Sequence, residues 1–167
     1  MDALREVWHA HHEAMRRFAR HLCGDASRAD DLVQEAFVRL WTTHAPIRTE
    51  TLRAYLFAIV RNLHRRAARR EARDDGPVPD VIDTSPPADE LAIQRDDTAR
   101  VRRALAELDD DDRSALWMRV DGELSYEDIG AALGISAGAA RVRVHRARRR
   151  LLESMRREEM KHERRDA

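Results

Sequence analysis

The amino-acid sequence predicts an all-α protein made of two small helical domains joined by a flexible acidic linker. Apolar residues recur at three- and four-residue steps through both ends of the chain, which is the spacing of amphipathic helices. Only 5% of the 167 residues are aromatic and 37% are charged, so a single large core is not expected. Charge is also segregated. Residues 1–70 hold 13 basic and 8 acidic side chains, residues 71–112 hold 5 and 14, and residues 113–167 hold 13 and 9. Two basic segments around an acidic middle favour two polyanion-binding modules on a tether.

Two helices are predicted at the start of the chain. Residues 3–23 carry one apolar stripe and end at Gly24. Residues 27–42 form a second helix, with Ser27 and Asp30 at the spacing of a capping box. Its expected buried stripe is Ala29, Leu32, Val33, Ala36, Phe37, Leu40 and Trp41. Its opposite face carries Asp31, Gln34 and Glu35, which the residues alone leave as either a solvated face or a docking surface for a basic protein.

A basic helix follows a short loop. The loop spans residues 43–51 with Pro46 near its middle, and the helix spans residues 52–70. Polar residues crowd the side of this helix away from its expected core: Arg61, Asn62, Arg65 and Arg66. Such a surface suits the backbone of a single-stranded nucleic acid, although an ordinary basic surface helix has the same composition.

An acidic linker separates the two domains. Residues 71–97 contain four of the five prolines in the chain together with many carboxylates, a composition that extends and resists packing. Helices resume over residues 98–121, where the run from Asp109 to Asp112 is expected to cap the second of them.

Residues 124–153 have the pattern of a helix-turn-helix. Ser125 and Ser136 are placed to cap its two helices, and Gly134 supplies the left-handed turn between them. Ala140, Val144, Ala147 and Leu151 form a narrow buried stripe on the second helix. Its other side carries the candidate DNA-reading residues, hereafter the recognition face: Gly138, Arg141, Val142, His145, Arg146 and Arg149. Arginine donates to guanine edges or to phosphates, and a valine contacts a thymine methyl, so these residues predict major-groove binding.

Other functional classes lack support in the sequence. We find no phosphate-cradling glycine loop and no nucleophile–base motif, so we expect neither an enzyme nor a cofactor. His9 and His12 could share a helix face, but no cysteine or carboxylate cluster completes a metal site, and no metal is expected. A single cysteine, Cys23, fits a reducing cytoplasm. No run is long and apolar enough for membrane insertion, and the N-terminus lacks the apolar core of a signal peptide.

Three segments in order resemble the group IV, extracytoplasmic-function (ECF) sigma factors of the sigma-70 family. DDLVQEAFVRLW (30–41) is similar to the helix with which that family holds the β′ coiled coil of RNA polymerase. LRAYLFAIVRNLHRRAARR (52–70) is similar to its −10 element reader, and residues 108–153 resemble its −35 element reader. The resemblance implies sigma region 2 at 1–70, a linker at 71–97, sigma region 4 at 98–155 and a charged tail at 156–167.

The resemblance also implies roles and partners. Asp31, Gln34 and Glu35 would contact core polymerase, and Arg61, Asn62, Arg65 and Arg66 would stabilise the opened −10 strand. Loop 43–51 would capture a flipped base, the recognition face would read the −35 duplex, and region 4 would lie near the β flap. The implied partners are core RNA polymerase, promoter DNA and an anti-sigma factor. Two alternatives remain open: a stand-alone helix-turn-helix regulator, and a sigma-like decoy that binds polymerase or an anti-sigma factor without initiating transcription.

Overall fold

Seven helices make up the part of the chain that the structure, a computed structural model, describes, which is residues 2–43, 49–73 and 92–166. There is no strand within those ranges. The helices are α1 (Asp2–Cys23), α2 (Ala26–Thr42), α3 (Thr49–Glu71), α4 (Ala92–Ala106), α5 (Asp110–Val120), α6 (Tyr126–Leu133) and α7 (Ala137–Asp166). The all-α prediction is therefore confirmed.

Helices α1, α2 and α3 pack around an aromatic core. Phe18 of α1 meets Phe57 of α3 with ring centroids 4.8 Å apart, and Trp8 of α1 meets Phe37 of α2 at 4.6 Å. A fully buried aromatic side chain contributes much of the apolar burial of a small domain. Four of the six aromatic residues in positions 1–70 are thus grouped where three amphipathic helices meet.

The second helix begins differently from the sequence prediction. Asp25, not Ser27, is its N-cap, and its carboxylate accepts from the backbone N–H of Arg28 at 2.6 Å. Asp30 is bonded instead to Arg16 of α1, with Nε 2.7 Å from Oδ1. Trp41 was also predicted wrongly, because its side chain is 68% exposed instead of buried. It is the last bulky apolar residue of α2, beyond the reach of the neighbouring helices.

The loop and the linker predicted from the sequence were both too long. Helix α3 begins at Thr49, inside the predicted loop 43–51, and α4 begins at Ala92, inside the predicted linker 71–97. Residues 44–48 and 74–91, which carry most of those two predictions, lie outside the described residues.

Helices α4 to α7 pack around the buried stripe of α7. Ala140, Val144 and Ala147 are at most 1% exposed, as the sequence predicts. Small side chains there let α5 and α6 approach α7 closely. The C-terminal half of α7 lies along α4, joined by Arg103–Glu158 at 3.1 Å and Arg157–Glu107 at 2.9 Å. The predicted tail at 156–167 is therefore a continuation of α7 up to Asp166.

The two helical units touch where α3 packs against α6 and α1 packs against α5. His21 of α1 stacks on Trp117 of α5 with ring centroids 3.5 Å apart and planes 13° apart. Arg17 of α1 donates to the Asp121 carboxylate at 3.0 Å, and Arg53 of α3 donates to its backbone carbonyl at 3.2 Å. The sequence prediction of two lobes held together only by a tether did not include this contact. We call this arrangement the closed form.

The closed form is expected to weaken as the pH falls from about 6.5 toward 4. Burial against Trp117 lowers the pKa of His21 to about 4, so the imidazole is neutral in the closed form and takes up a proton when the units separate. The contact is therefore fully favourable above the ordinary histidine pKa and is lost as the pH drops through this window. The charged groups around His21 are Asp121, Arg20, Arg102 and Arg113.

Small-angle scattering at pH 7.5 and pH 5.0 measures this directly, as an increase in radius of gyration at the lower pH. The matched variant is His21→Phe, which keeps an aromatic ring on Trp117 but cannot be protonated. Burial also lowers the pKa of His64 in α3, so the variant should still expand at pH 5.0, but by less than the wild type. An equal expansion in the variant and in the wild type would contradict the assignment to His21.

Candidate nucleic-acid and polymerase interface

The helix-turn-helix has the capped geometry that the sequence predicts. Ser125 Oγ accepts from the backbone N–H of Asp128 at 3.0 Å, and Ser136 Oγ accepts from that of Ala139 at 3.1 Å. Gly134 adopts φ 70° in the turn, the left-handed conformation that glycine adopts without strain. At Gly130 a Cβ would lie 2.7 Å from the carbonyl oxygen of Ile135, so only glycine lets α6 approach the turn this closely.

The recognition face forms one exposed surface on α7. A shallow depression is lined by five of its six residues, Arg141, Val142, His145, Arg146 and Arg149, and Gly138 is exposed one turn earlier. Val142 is 63% exposed at the centre of this surface. The surface is thus apolar at one point and basic around it, as expected for contact with base edges and phosphates.

The arginines of α7 differ in how firmly they are held. Arg146 donates from Nε and Nη2 to Asp112 at 2.7 and 2.5 Å. Arg149 lies 3.6 Å from Glu153 of its own helix. Arg141 has neither a hydrogen bond nor an ion pair with the described residues, and its guanidinium lies over the ring of Tyr126. Arg141 is therefore the recognition-face arginine whose donors are most available to a ligand.

Asp112 is a buried carboxylate at the start of α5, with 0% of its side chain exposed. Burial alone would raise its pKa, but the hydrogen bond and charge of Arg146, together with Arg143 and Arg150, outweigh burial and lower the pKa. The closest approach of Arg143 is 3.2 Å and that of Arg150 is 3.4 Å. Three arginines of α7 thus converge on one carboxylate of α5, which fixes the orientation of the recognition helix.

Arg146→Ala is expected to lower the free energy of unfolding by about 1–3 kcal/mol. The loss of one partner leaves a buried charge less compensated, and Arg143 and Arg150 keep the cost below that of a fully unpaired ion. Urea denaturation followed by circular dichroism measures the change.

The control is Arg148→Ala, an exposed arginine of the same helix without an ion pair among the described residues, which is expected to change stability by less than about 0.5 kcal/mol. Equal stabilities for the two variants would show that Arg146 does not stabilise the fold.

The face of α2 predicted for docking is exposed, and the exposed Trp41 extends it. Asp31, Gln34 and Glu35 are exposed, with Arg39 Nη2 2.6 Å from the Glu35 carboxylate. Val38 and Trp41 lie at helical spacing on the same face and are 58% and 68% exposed. A mixed apolar and acidic patch of this kind is typical of a protein-binding surface. The signal in the sequence was Val38, which lies one helical turn after Gln34 and Glu35.

The predicted −10 residues on α3 are brought together only in part. Asn62 and Arg66 are exposed, whereas Arg61 is 5% exposed and bonded to Asp111 of α5. Arg65 lies 3.6 Å from the same carboxylate, and Arg143 of α7 lies 3.8 Å from it. In the closed form, Asp111 therefore pairs with two of the three arginines that the sequence assigned to the −10 strand, and Arg66 remains exposed.

Metal and membrane features are not evident in the parts of the chain that are described. Over residues 2–43, 49–73 and 92–166, no group of three or more His, Cys, Asp or Glu side chains is arranged to hold a metal ion. Within those same ranges no helix combines the length and apolar character needed to cross a bilayer.

Comparison with known families and proteins agrees with this geometry. Residues 7–74 match the model of sigma-70 region 2, and residues 98–151 match that of sigma-70 region 4. The ECF RNA polymerase sigma factor EcfG of Rhodopseudomonas palustris is 37% identical over 90% of this chain and 83% of its own length. SigE of Mycolicibacterium smegmatis, also an ECF sigma factor, is 31% identical over 90% of this chain and 61% of its length.

Two solved structures share the fold over almost the whole chain. The sigma factor RpoE of Bartonella quintana, solved with the anti-sigma factor NepR, gives a TM-score of 0.74 at 27% identity, covering 93% of this chain and 98% of that one. CnrH, solved with the cytosolic domain of CnrY, gives 0.64 at 27% identity, covering 91% and 86%.

Proposed function

Because this chain belongs to the extracytoplasmic-function group of the sigma-70 family, we propose that it binds core RNA polymerase and directs it to promoters by recognising −10 and −35 elements. The observation that carries the proposal is the coexistence of two unlike exposed surfaces on one chain. One is the acidic and apolar face of α2, and the other is the basic recognition face of α7. A helix-turn-helix regulator that acts alone has no use for the first.

Each helical unit has its own binding role. Residues 1–70 contact polymerase and the −10 strand, residues 98–155 contact the −35 duplex, and residues 71–97 connect them. Joining two weak DNA-binding units raises the effective concentration of the second once the first is bound. The protein is not an enzyme in this proposal, since the polymerase supplies the chemistry, and its site of action is the cytoplasm.

Run-off transcription with sigma-free core polymerase tests the function as a whole. With this chain as the only sigma factor, start sites mapped by sequencing should share a −10 and a −35 element. Transcripts that start at the same positions with and without the chain would overturn the proposal. Binding to core polymerase without any transcript would favour the decoy alternative.

The double variant Asp31→Ala, Glu35→Ala should bind core polymerase about tenfold or more weakly, because it removes two charges from a surface that docks on a basic partner. Binding of the −35 duplex should be unchanged. The measurement is the affinity of labelled sigma for core polymerase by fluorescence anisotropy.

A matched control is Glu6→Ala, Glu13→Ala, which removes the same charge from exposed positions of α1. If both double variants weaken binding to the same extent, the effect is one of general charge. Wild-type affinity in the α2 variant would disprove the docking assignment.

The −10 function requires the closed form to open, since Arg61 is buried against Asp111. Asp111→Asn should favour the open form, because a neutral amide cannot compensate the buried guanidinium. We expect the variant to bind a single-stranded −10 oligonucleotide about fivefold or more tightly than the wild type, with a longer fluorescence-transfer distance between dyes on α2 and α6.

Asp110→Asn is the control for this variant. Asp110 has the same charge one residue earlier, but its side chain is 57% exposed and its ion pair, 3.6 Å to Arg113, lies within α5. Wild-type distance and affinity in Asp111→Asn would show that this carboxylate does not restrain α3.

An anti-sigma factor is a further expected partner. The related RpoE structure is a complex with an anti-sigma factor, and the CnrH structure is a complex with the cytosolic domain of CnrY. In this chain the exposed faces of α2 and α7 are the surfaces that an inhibitor has to cover. A pull-down under non-inducing conditions tests this, and recovery of the chain without a stoichiometric partner would count against it.

A further inference from the structure

Tyr126, the first residue of α6, lies beside two arginines from different helices. The guanidinium carbon of Arg119 is 4.8 Å from the centre of its ring, and that of Arg141 is 5.0 Å from the same point. Both distances are within the range in which the negative face of an aromatic ring attracts a cation. The two arginines lie close to one ring, but they are not equivalent.

Arg119 is held by the protein. Its Nη1 donates to the carbonyl oxygen of Leu124 at 2.8 Å, in the segment that leads into α6. This bond ties the end of α5 to the start of α6 and fixes the ring between them. Arg119 is therefore part of the support of Tyr126, while its own donors are directed at backbone.

Arg141 is held by the ring and by little else. It is exposed, it forms no hydrogen bond or ion pair with the described residues, and it lines the depression of the recognition face with Val142 and His145. Stacking on an aromatic ring uses the face of the guanidinium and leaves its N–H groups, which lie in its plane, free to donate. The ring thus restricts the orientation of the side chain without occupying its donors.

We propose that Tyr126 is a positioning residue for −35 recognition, whose ring presets the plane of the Arg141 guanidinium for bidentate donation to the DNA. The proposal rests on the proposed function and deepens it. Ordering a long side chain in advance removes part of the entropy that binding would otherwise lose. The hydroxyl of Tyr126 has no part in this role, so a ring with the same electrostatic character is sufficient.

The test compares holoenzymes in which residue 126 is Phe or a ring-fluorinated phenylalanine. Fluorination progressively removes the negative charge from the ring face while nearly keeping its shape, so packing against the core is preserved. The readout is base preference at each −35 position, measured by transcription from a promoter library randomised in that element. Arg141→Ala first identifies the positions at which Arg141 contributes.

Tyr126→Phe should keep the preference at those positions within about twofold of the wild type. Pentafluorophenylalanine at position 126 should reduce that preference about two- to fivefold, the range of an exposed cation–π interaction, with lower fluorination giving intermediate values. Preferences at the other −35 positions should not change. In an Arg141→Ala background the fluorinated ring should have no further effect.

Three outcomes would contradict the positioning role of Tyr126 or the reading role of Arg141. Equal preference with Phe and with the fully fluorinated ring overturns the positioning role while leaving the proposed function intact. A loss spread evenly over all −35 positions also overturns it, since that is the signature of general destabilisation. If Arg141→Ala alters preference at no position, then Arg141 does not read the −35 element, and Tyr126 has no reading side chain to position.

Discussion

The structure depends on a carboxylate placed at the start of a helix and buried among arginines. Asp112 has no exposed side-chain surface, and it binds three arginines that project from α7 toward α5. A buried ion pair adds little net stability, but it requires a specific geometry, because a misplaced arginine leaves the buried carboxylate charge uncompensated. It therefore specifies how α7 rotates about its own axis, and that rotation decides which residues form the recognition face.

The neighbouring carboxylates extend this principle across the molecule. Asp109 caps α5, and Asp111 pairs with Arg61 of the other unit. One short acidic run thus begins a helix, orients the recognition face and binds part of the basic face of α3. The two basic surfaces differ in exposure. The recognition face is open to solvent, whereas the basic face of α3 is partly covered by Asp111.

Local chemistry explains what the sequence could predict. The caps at Asp109, Ser125 and Ser136 and the glycine turn at Gly134 each depend on residues a few positions apart, and all were predicted. The buried stripe of α7 followed from helical periodicity. The N-cap of helix α2 lies two residues earlier than predicted, at Asp25 rather than Ser27, and Asp30 is bonded to Arg16 of another helix.

Interactions between distant segments account for the rest. Trp41 satisfies the helical period of α2 yet is 68% exposed, since none of the described helices covers it. Periodicity gives the direction of a side chain but does not say whether a partner lies there. In the same way, nothing in residues 52–70 shows that Arg61 alone would be withdrawn from solvent, since its partner is 50 positions further along the chain.

The exposed Trp41 and Val38 have a consequence for the unbound chain. Their apolar surface stands on a molecule with no net charge at pH 7, for which electrostatic repulsion between copies is at its weakest. Self-association of the free protein is then opposed by little except the local charges of Asp31 and Glu35.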